Sequence, residues 1–249
     1  MISKTHTKYI QSLQHKKFRD EHGQFVAEGP KTLIELLEGQ KFFCHEVFAT
    51  EDWLAANGNL TLLNPKTKFE AIKDFELEKI SGLSTPNKVL GIFEKRKYHS
   101  EIEFKGKITL LLDAIQDPGN FGTIIRIADW FGIETIICSE QCADMYNPKV
   151  VQSTMGSLAR VSILYQDLEE WIEKNESIHT YAAALHGTSI NDIQKISEAA
   201  IIIGNESKGI KEGLLNEADE KITIPRIGEA ESLNAAVATG IILSHVVGI

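Results

Sequence analysis

Three short stretches of this chain place hydrogen-bonding side chains where helices begin. Asn120 and Arg126 lie in Asp113-Ala-Ile-Gln-Asp-Pro-Gly-Asn120-Phe-Gly-Thr-Ile-Ile-Arg126. Glu206 follows a glycine in Gly204-Asn205-Glu206-Ser-Lys-Gly209. Ser232 and Asn234 precede the small-residue run Ala235-Ala-Val-Ala238. Amides and hydroxyls at a first helical turn stand beside backbone N–H groups that have no partner within the helix, so such turns hold polar or anionic groups. A guanidinium adds a planar fork of donors, and a carboxylate adds acceptors. The glycine-rich stretch is neither GxGxxG nor a Walker sequence.

These stretches sit at the ends of buried runs. Residues 108–112, 135–138, 161–164, 180–185, 200–203 and 222–224 are short, continuous apolar segments with helical spacing between most of them. Continuous rather than alternating apolar runs predict strands covered on both faces, hence a parallel sheet with helices above and below. In such a sheet ligands bind outside the carboxyl ends of the strands, which selects loops 113–120, 185–188, 204–209 and 225–233. Asn120 is the expected N-cap of the helix after 117, whose core stripe is Phe121, Ile124, Ile125 and Ala128. Arg126 projects from nearly the opposite side. Pro225 ends the last strand, and a helix opens behind Ser232 and Asn234.

The first hundred residues are organised differently. Tyr9, Ile10, Leu13 and Phe18 space out as one helical face, 32–37 forms a second helix closed by Gly39, and 47–50 and 89–93 read as strands. The charged stretch 94–103 has no apolar period. We therefore expect an N-terminal domain over 1–94, a linker over 95–106 and a second domain over 107–249.

The 249 residues carry a formal charge of −9, split as +2 over 1–100 and −11 over 101–249. A general basic coat is excluded, but a local basic patch is not. Lys4, Lys8, Lys16, Lys17 and Arg19 fall in the first nineteen residues without an acid. Cys44, Cys138 and Cys142 have no CxxC spacing and no histidine at zinc-ligand distance, so reduced core thiols and no metal site are expected. No apolar run approaches the ~20 residues of a membrane span. The N-terminus lacks an apolar signal core, which points to a cytoplasmic chain.

In order and spacing, the three stretches resemble the SpoU (TrmH) family of RNA ribose 2′-O-methyltransferases. The matching residues are Asn120, Gly122 and Arg126, then Gly204 and Glu206, then Ile224-Pro225 and Ser232-Leu233-Asn234. Ser153-Thr-Met-Gly156 and the N-terminal Lys16-Lys-Phe-Arg and Phe25-Val-Ala-Glu28-Gly29 extend the likeness to nearly the whole chain. The resemblance implies an α/β fold. Its C-terminal SPOUT domain would carry a trefoil knot and a mainly parallel sheet, beside a small α/β RNA-binding domain like that of certain ribosomal proteins. It also implies S-adenosylmethionine as cofactor and a homodimer whose active site draws on both subunits.

Carried over by position, Asn120, Arg126, Glu206, Ser232 and Asn234 form the catalytic set. Leu185, His186, Gly204, Asn205, Ile224 and Leu233 form the cofactor pocket. Lys16, Lys17, Arg19 and Arg126 would meet RNA, with Lys149, Arg160 and Lys208 as further cations. The N-terminal domain favours ribosomal RNA, 23S by analogy; transfer RNA, or an inactive RNA-binding relative, is the alternative. A Rossmann-type oxidoreductase would need GxGxxG after the first strand and an acidic residue ~20 positions on, and neither is present. Gln152, where relatives often place arginine, and Arg226, where an apolar residue is frequent, depart from the family pattern.

Overall fold

A computed structural model describes residues 2–96 and 103–248, so the middle of the expected linker lies outside the described residues. The chain forms two compact units, Met1–Lys97 with Asp144–Arg160, and Tyr98–Ala143 with Val161–Ile249.

The first unit runs α1 (Lys4–Ser12), α2 (Lys16–His22), β1 (Gln24–Glu28), α3 (Pro30–Gly39), β2 (Cys44–Ala49), α4 (Glu51–Ala56), α5 (Gly58–Leu63), β3 (Lys68–Ala71), α6 (Asp74–Ile80) and β4 (Val89–Glu94). Its sheet has the order β1-β4-β2-β3, antiparallel except for the β2–β3 pair. The single N-terminal helix read from Tyr9 to Phe18 is two helices. α1 stops at Leu13, whose side chain is fully buried with those of Ile10, Val26, Phe48 and Leu90. At the end of α3 the left-handed residue is Gln40 (φ 49°) rather than Gly39.

Asp144–Arg160 belongs to this unit by packing. It contains α8 (Pro148–Ser153), after which Met155 and Gly156 turn with positive φ, so the expected Ser153–Gly156 segment is a helix end. Tyr146 packs its ring 4.8 Å from that of Phe25. Arg160 pairs with Glu35.

The second unit runs β5 (Ile108–Leu112), α7 (Pro118–Trp130), β6 (Thr135–Cys138), β7 (Ser162–Tyr165), α9 (Leu168–Lys174), β8 (Thr180–Ser189), β9 (Ala199–Ile203), α10 (Glu212–Glu217), β10 (Glu220–Thr223) and α11 (Ala235–Val246). The six strands pair in the order β10-β8-β9-β5-β6-β7, and every pair is parallel. β6 and β9 are buried at every residue, as continuous apolar runs require. The order of strands reverses between β5 and β9, so the loops that follow these two strands bound the crevice where a doubly wound sheet receives its ligand.

β8 corrects one expectation. It continues to Ser189, past the end read at 185, and its outer half pairs only with β10 through a register shift at Lys221/Ile222. Leu185 and His186 therefore stand inside a strand, both exposed, rather than at its end.

Candidate active site

α7 begins earlier than its sequence suggested. Pro118 fills the first helical position, and the carboxylate of Asp117 accepts the N–H of Asn120 at 2.8 Å, so Asp117 is the cap. Asn120 sits inside the first turn, which frees its side chain. Phe121, Ile124, Ile125 and Ala128 are fully buried as the stripe predicted, and Arg126 is exposed.

Asn234 caps α11. Its Oδ1 accepts the N–H groups of Ala236 and Val237 at 3.0 and 3.2 Å. With the oxygen turned to the helix, the amide nitrogen must point away, and it donates to Oδ1 of Asn120 at 2.8 Å. Asn120 Nδ2 in turn donates to Glu206 Oε1. The helix end thus dictates the facing of two amides in series, and the series ends on a carboxylate. Asn120, Glu206 and Asn234 meet at the carboxyl side of the switch point although 86 and 114 residues separate them in the chain.

Glu206 is held by the loop after β9. Gly204 packs so closely that a Cβ there would run into the backbone of Gly209 and Ile210. Asn205 exchanges two backbone hydrogen bonds with Gly209, at 3.0 and 2.8 Å. The Asn205 side chain is engaged by backbone groups of two loops. Its Nδ2 donates to the carbonyl of Ala114 at 2.9 Å, and its Oδ1 accepts the N–H groups of Ser207 and Lys208 at 2.9 and 3.1 Å. Asp113, which sequence reasoning passed over, accepts the N–H of Lys211 at 2.8 Å. The Lys211 ammonium lies 2.8 Å from Glu169, and that hydrogen bond raises its pKa above the ordinary 10.5.

Ser232 lies two residues before the cap, exposed and without a side-chain hydrogen bond among the described residues, so it does not join the polar series. Residues 226–233 form no backbone–backbone hydrogen bond among the described residues; Arg226 folds back to donate to the Ala230 carbonyl at 3.1 Å. Leu233 and Leu185 are 44% and 66% exposed, and the Leu185 carbonyl accepts the Thr223 hydroxyl at 3.1 Å. Unpaired backbone groups beside exposed leucines form the kind of surface that takes a ligand with one apolar face and one hydrogen-bonding edge. A polar depression of about 500 Å³ in this unit is lined by Tyr181, Thr188, Asp192, Lys195, Glu198 and Glu220, and by none of Asn120, Glu206 and Asn234.

Arg126 stays apart from the series. Six residues along a helix amount to about 9 Å of rise and roughly a third of a turn from Asn120. Its guanidinium makes no hydrogen bond or ion pair among the described residues. One turn further along α7, Trp130 is 84% exposed, and on α11, which packs against α7, Val237 is 50% exposed.

In the first unit, Lys16 and Lys17 are exposed, and Lys16 pairs with Asp20 at 2.6 Å. Arg19 overturns its assignment as an RNA contact. It is 1% exposed, and its guanidinium donates to Asp144 Oδ2 at 2.7 and 3.3 Å and to the carbonyls of Leu13 and Gln14. A side chain with its donors so engaged is a structural ion pair. No group of three or more metal-ligating side chains occurs among the described residues, and no helix among them is long and apolar enough to cross a membrane.

Residues 107–244 match the SpoU rRNA Methylase family. The chain belongs to that family. Residues 4–91 match the MRM3-like substrate binding domain. Over 142 residues the chain is 37% identical to the 23S rRNA (guanosine(2553)-2'-O)-methyltransferase RlmP of Bacillus subtilis, a match covering 56% of this chain and 57% of that protein. A TrmH-family protein of Porphyromonas gingivalis superimposes with a TM-score of 0.88 at 33% identity over 98% of both chains. An AdoMet-bound rRNA methyltransferase from Sinorhizobium meliloti does so with a TM-score of 0.86 at 31% identity, over 98% of this chain and 95% of that one.

Proposed function

We propose that this SpoU-family protein transfers the methyl group of S-adenosylmethionine to a ribose 2′-hydroxyl of RNA, with 23S ribosomal RNA as substrate, and that it works in the cytoplasm as a homodimer. The observation that carries this reading is the directed series Asn234–Asn120–Glu206 at the switch point of the parallel sheet. The AdoMet-bound relative, the 2'-O-methyltransferase activity named for the Bacillus relative and the match to a substrate binding domain support it. Part of the same proposal is the trefoil knot of the second domain, over 107–249, supported by the likeness to those solved relatives.

The residues present suit the cofactor. Backbone groups around Gly204, Ile224 and Leu233 would hold it, with Leu185 and His186 beside them. When bound, S-adenosylmethionine supplies a methyl group made electrophilic by its sulfonium. The hydroxyl that receives the methyl is a poor nucleophile and must lose its proton. Arg126 does not take that proton, because a guanidinium stays protonated in proteins. Its work is electrostatic: it steadies the developing 2′-alkoxide and clamps the adjacent phosphate with its fork of donors. Glu206 has one oxygen engaged by Asn120, and the other accepts the proton, directly or through water. Asn120 and Asn234 fix that carboxylate in place.

Arg126 is exposed and bonds to none of Asn120, Glu206 and Asn234 within one chain, which favours its meeting the site of a second copy. The exposed Trp130 and Val237 offer that copy an apolar face. Among the described cations Lys16 and Lys17 are available to RNA, whereas Arg19 is not. The test pairs two measurements on Arg126→Ala. Transfer of tritiated methyl to unmodified ribosomal RNA should fall by at least about 100-fold, the usual cost of losing one such electrostatic contact. Affinity for S-adenosylmethionine in a calorimetric titration should be unchanged. Equal loss in both would contradict the assignment.

A further inference from the structure

Asn205 ties the loop after β9 to the loop after β5, as the Asp113–Lys211 hydrogen bond does farther along the same loop. Its Nδ2 donates to the Ala114 carbonyl at 2.9 Å, while its Oδ1 gathers the N–H groups of Ser207 and Lys208. The orientation of the amide is therefore set from both ends: the acceptor is consumed by its own loop, and the donor crosses to the other. Ala114 holds a left-handed backbone, φ 54°, which is costly for a residue with a Cβ. That conformation is kept by its N–H, which donates to Ser139 Oγ at 2.9 Å, and by its carbonyl, which receives Asn205. Glu206 is the next residue after Asn205, and Asn120 lies six residues after Ala114. The crossing bond thus sits behind the Asn120–Glu206 contact on both of its chain segments.

We propose that Asn205 is a positioning residue for methyl transfer, acting through Glu206 and Asn120 rather than by touching the cofactor. The inference rests on the methyltransferase reading above. Removing the crossing bond frees the Ala114 carbonyl and the Asn205 turn to shift locally beside Glu206, while the Asp113–Lys211 bond still links the two loops. A misplacement of about 1 Å at reacting groups costs on the order of 100-fold in rate. Cofactor affinity, carried by the backbone of other residues, stays where it was.

The experiment uses the full-length protein, S-adenosylmethionine and unmodified ribosomal RNA. Asn205→Ala removes the amide. Asn205→Asp keeps the acceptor for Ser207 and Lys208 but loses the donor, so it is the variant that preserves the turn if Asn205→Ala does not fold. Both should lower kcat by roughly 10- to 100-fold while leaving the S-adenosylmethionine dissociation constant within about threefold. Placed on Glu206→Gln, either change should add little further loss, because residues acting as a unit are not additive. Three results overturn the proposal: variants as active as the wild type, a cofactor affinity that falls in step with kcat, or losses that multiply with that of Glu206→Gln. A wild-type protein that binds S-adenosylmethionine and RNA but transfers no methyl group overturns the reading beneath it as well.

Discussion

Arg19 separates a structural from an RNA-binding role more sharply than any other cation of the first unit. Its guanidinium is 1% exposed and makes four hydrogen bonds, two to Asp144 Oδ2 and one each to the carbonyls of Leu13 and Gln14. Arg19→Met keeps most of the stem volume and deletes the charge. What it leaves is the Asp144 carboxylate, whose side chain is 15% exposed, and two carbonyls without donors. Breaking a buried pair from one side costs about 3–5 kcal/mol, because the surviving charge stays desolvated. For a protein of this size that corresponds to a fall of roughly 6–20 °C in melting temperature. Asp144→Asn should recover part of the loss in the double variant, giving a coupling of about 1–3 kcal/mol. The assay is denaturant unfolding of the two single variants and the double, alongside filter binding to ribosomal RNA under conditions where each variant is folded. An unchanged midpoint together with weakened RNA binding would refute the reasoning, since it would mean that the side chain leaves Asp144 to reach phosphate.

The cap of α11 yields a second contrast. Asn234→Ala should cost about 1 kcal/mol of stability, whereas Asn234→Asp keeps the cap oxygen and should melt close to the wild type. Both lose the donor to Asn120, so both should lower methyl transfer; an Asp variant of full activity would remove Asn234 from the polar series. Asp219 gives a pH dependence. The Thr180 N–H and hydroxyl each reach its Oδ2 at 2.8 Å, and the backbone hydrogen bond foremost lowers its pKa below the ordinary 3.8. A lowered folded-state pKa contributes stability that is complete above the unfolded value and fades as pH falls through the folded one. Asp219→Ala should therefore be less stable than the wild type at pH 7, and the gap should close as pH falls through the lowered folded-state pKa; a gap that widens on acidification would contradict the sign. Cys44 is buried and its thiol is pushed up to about 12 by desolvation. Alkylation of the native protein at pH 8 followed by mass spectrometry should leave Cys44 unmodified until the chain unfolds, and rapid labelling would show that its burial is wrong.

Much of the second unit was legible because its strands are covered on both faces. The runs at 108–112 and 135–138 needed no partner to be recognised, and β5 and β6 occupy those residues. The outer half of β8 was not legible. Thr188 and Ser189 pair on one side only, with β10, and 186–189 (His-Gly-Thr-Ser) carry no apolar signal, so the strand looked finished at Leu185. The start of α7 was misplaced for a local reason: Asn120 is a good capping residue by type, but Pro118 already fits the first helical position and leaves the cap to Asp117. Arg19 was misread because burial of a charge depends on a partner 125 residues away, which no spacing rule reveals. The candidate site was visible as three motifs, and the structure brought together Asn120, Glu206 and Asn234. The role of Asn205 was hidden, since nothing in Gly204-Asn205-Glu206 tells a pocket-lining amide from one that bonds across to Ala114.

The central claim is tested most directly by following where the methyl group goes. Full-length protein is incubated with methyl-labelled S-adenosylmethionine and ribosomal RNA lacking natural modifications, and the RNA is digested to nucleosides for mass spectrometry. Label should appear on ribose, as a 2′-O-methylnucleoside at one position, and should fall by at least about 100-fold with Arg126→Ala or Glu206→Ala. Label on a base, or equal ribose label from wild type and both variants, would contradict it.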